Sequence, residues 1–68
     1  MNIANLSYRI RVAVNQKVRE SIRIPRTREE VIELTELDEQ IVSDVLAKLY
    51  DTGDLRFDRE TRRFQLAA

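Results

Sequence analysis

The sequence predicts an α+β domain in which three helices pack on a small three-stranded antiparallel sheet. Three observations carry that expectation. Thr27 followed by Glu30 is a capping-box signature, and it opens one helix shortly before another that starts at Asp38. The hydrophobic period changes from 3.6 to 2 at Ser21-Ile22-Arg23-Ile24-Pro25, and again after Gly53. A hydrophobic fraction of 43%, with one Gly and one Pro in 68 residues, describes a chain rich in regular elements.

The first helix is expected over about residues 7–21. Ile3, Leu6, Ile10, Ala13, Val14 and Val18 share one arc of its wheel and form the core face. Tyr8, Val12, Asn15 and Arg19 make a narrower second stripe, either scattered surface residues or a contact face for a second subunit. Residues 22–24 alternate Ile-Arg-Ile and are expected as a short strand; Pro25 biases Ile24 to an extended backbone and separates the helices.

Helix 2 is expected over about 28–35, with Val31 and Leu34 on its apolar face. Leu37 is read as a buried plug and Asp38 as the next N-cap. Helix 3, about 39–52, carries Ile41, Val42, Val45, Leu46, Leu49 and Tyr50 in one wide stripe, and Gly53 supplies the left-handed stop. Two helices joined by so short a turn must cross steeply, the helix-turn-helix arrangement. Residues 55–66 read as a hairpin with Leu55, Phe57, Phe64 and Leu66 inward, and Arg56, Arg59, Arg62 and Arg63 outward or at the tip. Asp58-Arg59-Glu60-Thr61 lacks Gly and Asn, which favours a four-residue connection. The strand at 22–24 is expected to pair at the edge of this hairpin.

Length and composition narrow the function. A chain of this size is one domain near the lower limit for a self-sufficient core. No Cys and no His removes disulfides, zinc fingers, thiol nucleophiles and imidazole bases. Twelve carboxylates without those partners or a glycine-rich loop make an enzyme unexpected, and no cofactor or metal is implied. No apolar run is long enough for a membrane span, and MNIANLSYR lacks a signal-peptide pattern, so a cytoplasmic protein is expected.

Net charge is zero, yet the signs are segregated. Residues 1–28 hold seven basic side chains against Glu20. Residues 29–54 hold nine carboxylates against Lys48, and residues 55–68 hold four arginines against Asp58 and Glu60.

From about Leu6 to Leu66 the pattern resembles a winged-helix domain, the helix-turn-helix variant with a β-hairpin wing. The specific part is Glu30 to Leu55, EVIELTELDEQIVSDVLAKLYDTGDL. The resemblance implies that Val31, Leu34, Leu37, Val42, Leu46 and Leu49 form the buried framework, and that helix 3 is the recognition helix. Two positions depart from the family pattern. Ile32 replaces the usual small residue between the crossed helices, and Glu36 stands where the turn often has a left-handed glycine.

Two functions are compatible with that resemblance. The first is a small duplex-DNA-binding protein, a transcription regulator acting as a homodimer. Arg56, Arg59, Arg62 and Arg63 would enter the minor groove. Arg23, Arg26 and Arg28 would hold the backbone near the helix 2 N-terminus, and Gln40, Ser43 and Lys48 would face base edges. The second is a protein-interaction module whose acidic helix 3 face, Glu39, Asp44 and Asp51, docks a basic partner without nucleic acid. Carboxylates on a groove-facing helix oppose phosphate neutralisation, which keeps this second reading in play.

Overall fold

The computed structural model describes residues 7–67 and is an α+β fold of three helices and one three-stranded antiparallel sheet. Helix α1 runs Tyr8–Ser21, β1 Arg26–Thr27, α2 Arg28–Thr35, α3 Glu39–Asp51, β2 Leu55–Asp58 and β3 Arg63–Leu66. The sheet order is β1-β3-β2, with both pairings antiparallel.

Local chemistry sets the helix ends. Ser7 caps α1 by accepting the Ile10 amide hydrogen at 3.3 Å. Thr27 and Glu30 form the full capping box of α2. The Thr27 hydroxyl accepts from the Glu30 amide at 3.1 Å, and the Glu30 carboxylate accepts from the Thr27 amide at 2.9 Å. Asp38 caps α3 by accepting the Gln40 amide at 2.8 Å. Thr52 is the C-cap of α3, and Gly53 follows at φ 83°, the left-handed stop. The turn between α2 and α3 also uses a left-handed residue. Glu36 sits at φ 57°, the conformation that glycine adopts with less strain, so the departure at this position changes the residue and not the turn.

The core joins all three helices to the sheet. Val14, Val18, Ile22, Val31, Val42, Val45, Leu46, Leu49 and Leu55 are buried, with Ile32, Leu37, Ile41, Phe64 and Leu66 packed around them. Ile32 is therefore accommodated at the margin of the helix crossing. Each fully buried aliphatic side chain contributes roughly 1.5–3 kcal/mol, so no single element is stable without the others at this size.

Several expectations are corrected. The strand expected at 22–24 is displaced to Arg26–Thr27, where Arg26 faces Phe64 and Thr27 faces Arg63. Ile22 is instead the C-cap of α1, its amide donating back to the Arg19 carbonyl at 3.3 Å, and its side chain is fully buried. Ile24 is 55% exposed. A three-residue alternation is too short to distinguish a strand from a helix end that sends one side chain inward. Leu34 and Tyr50, expected on buried faces, are exposed, and Leu37 is only half-buried. On α1 the core face shrinks to Val14 and Val18; Ile10 and Ala13 are exposed, while Ile3 and Leu6 lie outside the described residues.

The two isoleucines give a direct test. Ile22→Ala is expected to lower urea-unfolding stability by about 2–5 kcal/mol. Ile24→Ala should stay within about 0.5 kcal/mol of the parent. Comparable losses at both positions would favour a 22–24 strand with the two side chains on one buried face.

Candidate nucleic-acid interface

The hairpin is closed by its own first strand. The Asp58 carboxylate accepts the amide hydrogens of Glu60 at 2.8 Å and Thr61 at 3.3 Å, and its carbonyl accepts from the Arg62 amide at 2.7 Å. Four residues, 59–62, connect the strands, and Arg62 takes the left-handed conformation at φ 58°. The connection has the expected length, with Asp58 remaining in the strand. Inside the hairpin Phe57 and Phe64 face each other in register, ring centroids 4.7 Å apart, although Phe57 stays 39% exposed.

The four hairpin arginines divide into two kinds. Arg56, Arg59 and Arg62 are exposed, and none forms an ion pair among the described residues. Arg63 is half-buried and anchored, donating to the Glu30 carboxylate at 2.7 Å and to the Pro25 carbonyl at 3.3 Å. It stands beside the turn, opposite Asp58, but is braced against Glu30 and Pro25 and is not free like the turn arginines. Arg56 and Arg63 nonetheless line one open cleft on the outer sheet face, together with Pro25, Asp58, Thr61 and Gln65.

Glu30 was legible in the sequence only as a cap. In the fold it is a junction, with Arg63 at 2.7 Å and Arg26 at 4.0 Å on its two oxygens. The Thr27 amide, more than the neighbouring Arg63 and Arg26 guanidiniums, holds the Glu30 carboxyl below its ordinary value of 4.5. No sequence pattern marked Arg63 as its partner, because 33 residues separate them.

The remaining candidates are largely engaged within the fold. Arg26 is half-buried beside Glu30. Arg28 donates to the Ser43 hydroxyl at 2.7 Å and to Glu39 at 3.0 Å, locking the α2 N-terminus to the start of α3. Gln40 donates to Asp44 at 2.9 Å. Of the groups expected at base edges, Lys48 alone is exposed without a hydrogen bond or ion pair among the described residues. Arg23, just past the end of α1, is likewise exposed. The structure thus joins Arg26, Glu30 and Arg63 where β1 meets the start of β3, leaves Arg56, Arg59 and Arg62 open, and draws Arg28 away toward the acidic helix.

No family model, no curated protein and no solved structure matches the chain. Among the described residues no helix is long and apolar enough to cross a membrane.

Because the folded pKa of Glu30 is lowered, its stabilisation is present above 4.5 and is lost as pH falls through the folded value below that. Glu30→Gln should therefore melt below the parent at about pH 7. The gap should close as the solution is acidified beneath pH 4.5, while a gap of constant size down to the acid limit would show that the carboxylate's charge is immaterial.

Proposed function

We propose that this chain is a winged-helix-type DNA-binding module, a transcription regulator, in which the β2–β3 hairpin makes the principal contact with duplex DNA. The observation that carries this reading is the division among the arginines: Arg56, Arg59 and Arg62 stand exposed and unpaired, while Arg26, Arg28 and Arg63 have partners within the fold. Guanidinium groups without carboxylate partners are ready to meet phosphate oxygens or a narrow minor groove. Helix α3 then contributes little to affinity. Its outer arc of Gln40, half-buried Asp44, Ala47, Lys48 and Asp51 has one cation against two carboxylates, and Gln40 is already bonded to Asp44.

Three phosphate contacts imply a salt slope near −3, hence binding that is firm only at low ionic strength. Replacing Arg56, Arg59 and Arg62 together with alanine should flatten that slope by up to about three units, whereas Gln40→Ala should change affinity by less than about threefold. Arg62→Gly separates fold from function. It should keep or raise thermal stability by relieving the left-handed conformation, and still weaken DNA binding. Absence of duplex retardation at 50 mM salt would overturn the proposal.

A second reading draws on the acidic α3 face. Glu39, Asp44 and Asp51 lie on the side of α3 away from its buried face, with Lys48 as the helix's sole cation and Glu39 shared with Arg28, the charge complement of a basic protein partner. Binding of a basic peptide by a chain that does not retard DNA would favour this interaction module.

A further inference from the structure

The apolar stripe encoded on α1 is longer than the core that receives it. Val14 and Val18 are buried, but Ile10 is 50% exposed and Ala13 is open to solvent. Ile10, Ala13 and Lys17 are spaced three and four residues apart and so form one row along the helix. The far end of that row is located by a contact: the Lys17 ammonium donates to the Thr35 carbonyl at 3.2 Å, and Lys17, Leu34 and Thr35 line a common cleft. The row therefore leads from Ile10 to Leu34 at the end of α2, itself 53% exposed although the α2 pattern calls for burial. One strip of surface carries uncovered aliphatic side chains at both ends.

The two ends have opposite rims. Arg9 flanks Ile10, while Glu33 and Glu36 flank Leu34; all three are exposed and none forms an ion pair among the described residues. The cations of the Leu34 cleft are instead engaged, Lys17 with the Thr35 carbonyl and Arg26 with Glu30. Glu36 is the left-handed C-cap of α2, its amide donating to the Ile32 carbonyl at 2.9 Å, which leaves its side chain on the surface beside Leu34. A surface whose basic apolar end complements its own acidic apolar end satisfies itself when a second copy is turned by a two-fold rotation.

We propose that this strip is the contact face of an isologous homodimer. Ile10 and Ala13 of one copy cover Leu34 of the second, and Arg9 of one copy meets Glu33 and Glu36 of the second, twice over. A second copy is the occupant because the strip contains both halves of the contact; a partner of one charge sign matches only one end. A standard interface takes about 800 Å² from each copy. Three aliphatic side chains with a charged rim fall short of that, so association in the tens of micromolar is expected, weakened by salt. The dimer is independent of the hairpin arginines and of the DNA-binding reading.

Sedimentation of the intact chain over roughly 5–500 µM at 50 mM salt is expected to show a shift from 8.0 kDa to twice that mass. Ile10→Asp and Leu34→Asp, both at exposed positions, should each leave the circular dichroism spectrum unchanged and raise the dimer Kd at least tenfold. Arg9→Glu, and Glu33→Arg with Glu36→Arg, should each weaken self-association at least threefold, while an equimolar mixture of the two variants recovers a heterodimer. Glu36→Gly should raise the Tm of the dilute monomer and yet weaken the dimer. A chain that stays monomeric at 500 µM and low salt overturns the proposal. So does a dimer indifferent to Ile10→Asp and Leu34→Asp, which would locate the contact on another face. Loss of DNA binding by the hairpin variants with dimerisation intact would leave this inference standing, and the reverse result would leave the DNA-binding reading standing.

Discussion

The geometry of the whole domain depends on the junction between β1 and α2. Thr27 is a strand residue opposite Arg63 and, in the same backbone conformation, the N-cap of α2. Glu30, one turn into the helix, accepts the Thr27 amide and the Arg63 guanidinium. A helix pair and a β-hairpin packed only through aliphatic contacts retain freedom to rock, because hydrophobic burial is non-directional. The charge-assisted bond at 2.7 Å opposes that freedom beside the hairpin turn, at the first residue of β3. The core holds the elements together, and the junction sets the direction in which the hairpin projects.

That division of labour sorts the arginines, and the sorting is what gives the hairpin its character. A guanidinium near a carboxylate loses most of its attraction for a distant anion, since its field is compensated locally. Arg63 and Arg28 are compensated in this way by Glu30 and Glu39. The hairpin tip has two exposed acidic residues too, Glu60 and Asp58, of which Asp58 accepts the amides of Glu60 and Thr61. Its carboxylate thus serves the turn, and Arg56, Arg59 and Arg62 keep their charge facing solvent. The charge contrast stays element by element: α3 is mainly acidic and the hairpin mainly basic.

The uncovered apolar groups follow from size. A 68-residue chain has too little interior to bury both ends of a fourteen-residue helix, so the stripe on α1 outruns the core near Ile10 and Ala13. Leu34 is exposed for a related reason. With Val31 and Thr35 turned into the core, Leu34 lies on the flank of α2, beside a cleft that α1 lines with Lys17, Glu20 and Ser21. These residues mark where a monomer of this size ends and a second surface can begin.

The helix boundaries, the caps at Thr27 and Asp38, the stop at Gly53 and the pairing of Leu55–Asp58 with Arg63–Leu66 were legible in the sequence. Each rests on contacts within a few residues, so neighbouring side chains suffice to specify them. The identity of the third strand was not legible, because Ile22 and Ile24 look alike in sequence and differ only in whether the end of α1 points them at the core. Nor was the difference between a braced Arg63 and an open Arg62, which turns on a carboxylate 33 positions away. Local sequence determined which elements form and what charge each carries. Tertiary structure alone decided which charges are cancelled and which apolar groups stay uncovered, since both depend on groups brought together only by folding.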